Sequence, residues 1–466
     1  MVTLDKDKKP IAIVISIVIL MELIDSSALN TALPQLAHSF MINPVHLKVA
    51  ITVYMLTLGL FIPASVWVAE RFGIRRILLI SVLGFVVSSV GCGLSTSLWV
   101  LVLMRALQGF FAAFTTPVAR LAMVKIFKGN MMAAMAMIAV VVSIGPMLGP
   151  VVGGVITTLI SWRMIFFLNV PVGGMALIML WRLFPVLETV AKKFDIIGFI
   201  QLSLAVVLFL LGLDIILSPR FELMWKIIAF SGAIILGGLY WRHTMKWQQS
   251  SVLNLMILKD RTLRYFVVVS IMFRFCLMGN MFLIPLYLQT TQGLSAMQSG
   301  LVLLAFVIPS WFIRRWARPI LAYFHFYRFF MIVSSVSISV FVVNAYLFSH
   351  FVLNGFYLTL MVFGLTIGSF MMIANTGMYN AANDEQSGPI SLLNSMLIPM
   401  IGAFSVTVVA IVLKIVSDGG QVMGYSSEIP SQAFSAVSLG FALLIGLGML
   451  FIQRARPRQL ETISIT

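Results

Sequence analysis

The chain has 466 residues, 61% hydrophobic and 10% charged, with a formal net charge of +16 and a mean hydropathy of +1.06. Soluble domains carry about 25% charged residues, so a soluble enzyme or binding module is excluded and an all-α polytopic membrane protein is indicated. A net basic balance can mark a polyanion surface, but here the basic residues sort by loop, so no nucleic-acid partner is expected.

Hydropathy predicts about fourteen windows long enough for helices of about 20 residues to cross a bilayer: 11–33, 48–69, 77–95, 98–124, 131–158, 164–184, 196–217, 223–241, 265–288, 297–313, 329–348, 352–375, 388–415 and 434–452. The runs are too long and continuous for barrel strands. An even number of spans puts both termini on one side. With that side cytoplasmic, about 24 of the 31 Lys and Arg fall inside, the asymmetry expected of an inner-membrane protein.

The first window holds ILMELIDSSALNTALP, residues 19–34, with two acids, Glu22 and Asp25, and a polar Asn30. A charge at the bilayer centre costs about 2.5–3.5 kcal/mol on insertion scales. Positions i and i+3 share a helix face, so both acids point the same way. The run is too long for a signal peptide and lacks a cleavage pattern, so it is expected to be retained. The loop VWVAERFGIRR, 66–76, joins the second and third windows. Glu70 and Arg71 are candidates for pairing across helix ends, Gly73 for a left-handed turn, and Arg75 and Arg76 for anchoring the next helix at anionic lipid. An ordinary positive-inside loop is the plainer alternative.

The fourth window contains RALQGFFAA, 105–113, with Arg105 and Gln108 at membrane depth. At the helical rise, Asp25 lies roughly 12 Å and Arg105 roughly 10 Å below the outer ends of their helices, with Glu22 roughly 16 Å and Gln108 about 15 Å down. Asp25 is therefore expected to meet Arg105, and Glu22 to meet Gln108, if the two helices are neighbours. Burial favours a neutral acid and an adjacent guanidinium favours the charged form. That balance makes Asp25 the expected coupling acid, Arg105 its tuner, and Glu22 a substrate or secondary proton site. A static ion pair is the alternative. The fifth window carries GPMLGPVVGG, 145–154, a Gly and Pro density that lets membrane helices approach closely and bend.

Two windows, 196–217 and 223–241, follow the first six. Asp214 sits near the outer end of the former and is expected to reach water. In the ninth window Arg274 stands deep; with Asn30, Gln108, Asn280 and Tyr287 it is a candidate for lining a substrate cavity. Cys92 and Cys276 both fall inside windows and form no zinc or disulfide framework. No metal site, nucleophile–base set or soluble domain is visible, and no G-x-x-x-x-G-K-[ST] loop exists to hold a nucleotide, so an ATP-driven pump is not expected.

Several of these stretches resemble one family. The 66–76 loop resembles the G-x-L-A-D-R-x-G-x-R-R signature of the major facilitator superfamily, with Glu70 in place of Asp and Val66 in place of Gly. Arg105, Gln108 and Gly109 resemble its R-x-x-Q-G motif. Gly145, Pro146, Gly149, Pro150, Gly153 and Gly154 resemble its antiporter motif. WRMIFFLNVPVGG (162–174), FDIIG (194–198), IPLYLQTTQGLSAMQSG (284–300) and the first-helix Asp25, Asn30, Ala32, Leu33 and Pro34 resemble the fourteen-helix drug:proton antiporter branch. After Pro309 the run SWFIRRWARPILAYFHFYRFF lacks the Gly and Asp of a repeated loop, and SLLNSMLIPMIGAF lacks the branch's Arg-Gln pair.

The resemblance implies two six-helix bundles plus two central helices, with cytoplasmic termini. The expected organisation is 1–191 as the first bundle, 192–241 as the added helices, 242–264 as a cytoplasmic loop, and 265–466 as the second bundle with a short tail. The implied function is proton-coupled export of amphiphilic, drug-like molecules, driven by the proton gradient with no cofactor. Export of one metabolite, or a non-transporting sensor or assembly role on the same scaffold, are the alternatives. Whether it works alone or feeds an envelope-spanning efflux complex stays open at this level.

Overall fold

The computed structural model describes residues 9–127, 131–187, 194–216, 218, 221–247, 251–323, 326–380, 387–417 and 429–455. The Lys192–Lys193 boundary, the side chains of Arg314, Arg315, Arg318 and Pro319, and most of the outer loop 417–432 lie outside the described residues. Among those described there are helices and turns and no strands.

The helices are α1 (Lys9–Phe40), α2 (Lys48–Phe72), α3 (Ile74–Gly93), α4 (Leu98–Ala113), α5 (Thr116–Ile126), α6 (Met131–Leu159), α7 (Arg163–Phe167), α8 (Asn169–Leu183), α9 (Ile196–Ile215), α10 (Leu223–Lys246), α11 (Arg261–Thr290), α12 (Ala296–Tyr323), α13 (Phe326–Ser349), α14 (Leu353–Asn380), α15 (Ser387–Ser417) and α16 (Ser431–Ala455). Thirteen stretches of the described residues are long and apolar enough to cross a membrane, and Ile144–Leu159 within α6 is a shorter apolar piece. Each sequence window is met by helix. Two windows are broken: the fourth into α4 and α5 at Phe114–Thr115, the sixth into α7 and α8 at Leu168. In the first case Thr115 and Pro117 interrupt the register, since a proline has no N–H to give to the preceding turn.

The chain forms two compact units: Met1–Val252 with Ser295–Gly300, and Leu253–Leu294 with Leu301–Thr466. Helix starts are capped from side chains. Ser97 accepts from Val100 N–H at α4, Asp195 from Gly198 N–H at α9, and Asp260 from Leu263 N–H at α11, each supplying an acceptor to an otherwise orphan amide. Gly73, at φ +100°, makes the turn between α2 and α3.

In the first unit α1 packs along α6 at backbone distance. Gly145, Gly149 and Gly153, four residues apart, form one stripe; a side-chain carbon on them would strike Leu23, Ser27 and the Ala28 carbonyl respectively. The Thr31 hydroxyl reaches the Pro150 carbonyl at 3.3 Å. Gly154 turns away from α1, against the Ala296 carbonyl. An apolar core of Ile11, Val14, Ile15, Val18, Leu78 and Met123 fills one end of this unit, leaving the polar residues of α1 one to three turns further along. In the second unit α11 contacts α14, α15 and α16, and α13 packs on α14 and α16.

Candidate functional site

Asp25 is buried on α1 and both its oxygens are occupied. Oδ2 accepts from Arg105 Nη1 at 2.7 Å and Oδ1 from Asn169 Nδ2 at 2.7 Å. The two charges form an ion pair with no exposed side-chain surface on either partner. Arg105 also donates to Gln108 Oε1 at 2.7 Å, and its guanidinium carbon stands 4.1 Å from the centre of the Tyr54 ring. Gln108 Nε2 continues to Ser89 Oγ at 2.8 Å, and Asn169 reaches the same hydroxyl at 3.2 Å. Helices α1, α3, α4 and α8 are thus stitched by one buried polar network around a single ion pair. Among the described residues, Arg105 Nε and Nη2 have no hydrogen-bond acceptor, and the ring faces take their place.

The depth estimate from the sequence brings Asp25 to Arg105, and the structure does so too. For Glu22 the outcome differs. Gln108 is drawn to Arg105, one turn away on its own helix, and to Ser89. Glu22 Oε2 instead accepts from the Thr116 hydroxyl at 3.0 Å. The break between α4 and α5 brings Thr116 to α1, which a straight fourth helix would not predict. Asn30 is buried on α1, its Oδ1 without a partner among the described residues.

Asn169, Ser89, Tyr54 and Thr116 were not singled out from the sequence. Depth was the available signal: on the same helical rise, Ser89 lies about 9 Å and Asn169 about 8 Å from the outer ends of their spans, within a turn of the depth of Asp25. Asn169 also belongs to the quoted 162–174 stretch.

Asp214 does not simply reach water. Lys48 at the start of α2 meets it at 2.7 Å, tying α9 to the rest of its unit. At the other end of α9, Phe194 stacks on Trp67 at 4.9 Å, and Asp195 pairs with His243 of α10 at 2.9 Å.

The 66–76 loop is an anchor within the first unit, with partners other than those expected. Glu70 approaches Lys125 of α5 at 4.0 Å rather than Arg71. Adjacent residues do not face each other on a helix. Arg71 lies over the rings of Trp67 and Phe72, at 5.4 and 5.7 Å. Arg75 donates to the Trp181 carbonyl at the end of α8, and Arg76 is exposed.

In the second unit Arg274 is buried among carboxamides. Its Nη2 donates to Asn394 Oδ1 at 2.6 Å and Asn375 Oδ1 at 3.2 Å, joining α11, α14 and α15. Asn280 is buried on the same helix. Tyr287 is fully buried: its ring packs against Phe348, Phe356 and Phe434, and its hydroxyl donates to the Phe348 carbonyl at 2.9 Å. A crevice of about 400 Å³ in this unit is walled by Phe275, Phe404, Phe441 and other apolar groups of α11, α15 and α16, and touches none of the candidate polar residues.

The chain is similar over nearly its whole length to bacterial proteins provisionally named multidrug resistance protein MdtD. It is 29% identical to that of Salmonella typhi over 445 residues, covering 93% of this chain and 92% of the relative. It is 28% identical to that of Escherichia coli O81 (strain ED1a) over 455 residues, covering 96% and 94%. Solved structures share the fold. A bacterial homologue of the human lysosomal transporter Spinster superposes with a TM-score of 0.67 at 10% identity, covering 100% of both chains. The nucleoside transporter NupG superposes with a TM-score of 0.65 at 11% identity, covering 95% of this chain and 99% of that one. With its many apolar helices and these relatives, the protein is a multi-pass inner-membrane protein. The family model of the Major Facilitator Superfamily matches residues 15–407, and the chain belongs to that family.

Proposed function

We propose that this transporter is a proton-coupled exporter of small amphiphilic molecules, working by alternating access. The observation that carries the reading is the Asp25–Arg105 pair at 2.7 Å, enclosed in a polar network with Glu22 on the same helix. Ionisable groups at membrane depth are costly and mark ion or substrate pathways. The multidrug name of the relatives supports an exporter of drug-like cargo. Asp25, Arg105 and Glu22 belong to the coupling machinery on this reading, and the gradient is its energy source, with no enzymatic chemistry and no cofactor. The cytoplasmic placement of both termini follows from the loop charges.

The test is proton flux in proteoliposomes against a panel of cationic, neutral and anionic amphiphiles. At least one compound is expected to move protons in the direction opposite to itself. Movement with one compound alone would select the single-metabolite alternative. Absence of linked proton movement across the whole panel would replace transport coupling with the sensor or assembly reading.

A further inference from the structure

The helices α11–α16 contain no Asp or Glu, and the remaining helical acids Glu70 and Asp214 lie near helix ends, as does the α9 cap Asp195. Two carboxylates therefore stand deep in the described helices, Glu22 and Asp25. They are one turn apart on one face, yet their surroundings differ. Each Asp25 oxygen already receives a donor, one of them from a guanidinium with no exposed surface. A proton on Asp25 would have to displace Arg105 or Asn169, and would leave Arg105 as a buried charge without its carboxylate.

Glu22 carries neither constraint. Its one hydrogen bond among the described residues comes from a neutral hydroxyl, Thr116, which can turn to accept when the acid is protonated. The charged and titratable groups whose fields reach Glu22 are Arg120, one turn along α5 from Thr116, and Asp25 on its own helix. Tyr54 of α2 stands beside both acids. Ionised, Glu22 has Arg120 as a nearby opposite charge; neutral, it strands no cation. It also keeps 5% of its surface open against 1% for Asp25.

Resting on the proton-coupling reading above, we infer that Glu22 is the carboxylate that gains and loses the transported proton, while Asp25, held by Arg105 and Asn169, acts as a positioning residue. Glu22 takes a proton from water on one side of the membrane, forming one O–H bond. It returns that proton to water on the other side. No other bond changes.

The test uses the full-length protein in lipid and infrared difference spectroscopy during a pH titration, which needs no cargo. The carbonyl band of a buried protonated carboxyl group should appear on acidification in the unsubstituted protein and in Asp25→Asn. It should be missing in Glu22→Gln and shifted in Glu22→Asp. A band lost in Asp25→Asn and kept in Glu22→Gln, or absent from the unsubstituted protein, overturns the assignment.

Ethidium-driven proton flux in proteoliposomes provides the second arm. Glu22→Gln should lose at least about tenfold, and Glu22→Asp should recover part of it. If Glu22→Gln still couples within about twofold, this inference fails while proton coupling stands. If the unsubstituted protein moves no proton with any compound of the panel, the coupling reading fails, and the infrared band then decides separately whether Glu22 titrates.

Discussion

Asn169 shows how much one neutral side chain does at this site. It donates to Asp25 Oδ1 at 2.7 Å and to Ser89 Oγ at 3.2 Å, so it fixes the carboxylate from the side opposite Arg105. A hydrogen bond to a charged group is worth about 1.5–3 kcal/mol, and an unmet buried acceptor has its own desolvation cost. Asn169→Ala should therefore lower the stability of the purified protein by about 1.5–3 kcal/mol, read as a lower thermal midpoint in detergent, and should reduce proton-linked export. An unchanged midpoint would mean that another donor reaches Asp25 when Asn169 is gone. The ion pair itself was legible in the sequence, because two opposite charges at matching depth in apolar windows have few other ways to be satisfied. The third partner was not. An asparagine at a helix start reads equally well as a capping residue, and depth alone does not say which neighbour it turns toward. Glu22 departs from the depth expectation because Gln108 is engaged by Arg105 and Ser89, and because the break at Phe114–Thr115, which hydropathy does not show, brings Thr116 to Glu22.

At the level of elements, the contact of α1 with α6 sets the position of both deep acids. The Gly and Pro density of 145–154 announced close helix packing. The spacing of four placed Gly145, Gly149 and Gly153 on one face, but nothing in it named α1 as the partner. The structure supplies that, and separates the motif's glycines by role, since Gly154 faces the Ala296 carbonyl instead. A Cβ at Gly153 would meet the Ala28 carbonyl and, at 2.8 Å, the Thr31 hydroxyl. Backbone gives way less readily than a flexible side chain, and overpacking costs about 1–3 kcal/mol. Gly153→Ala is accordingly expected to lower the thermal midpoint and to impair export by shifting the face that carries Glu22 and Asp25. Gly174→Ala, where a Cβ would meet nothing within 4 Å, should leave both unchanged. Equal behaviour of the two variants, in midpoint and in transport, would rule out the close α1–α6 approach.

For the whole molecule, the distribution of charge makes a claim about orientation that helix packing does not. The helices of the second unit carry no acid, and the proposed orientation rests on the bias that retains Lys and Arg on the cytoplasmic side. That bias places Glu222, exposed at the start of α10, outside, and Arg242, exposed near the end of the same helix, inside. The protein suits a direct check because its two cysteines, Cys92 and Cys276, are buried and should stay silent toward a polar reagent. A cysteine introduced by Glu222→Cys is expected to react with a membrane-impermeant maleimide in intact cells. One introduced by Arg242→Cys should react only after the cells are opened. Because seven windows precede α10, an odd number, the side on which Glu222 lies is opposite that of the N-terminus, so this single helix reports on the side of the N-terminus. Labelling of Arg242→Cys alone in intact cells would invert the topology and, with it, the direction assigned to transport; labelling of both would mean that α10 does not cross the membrane.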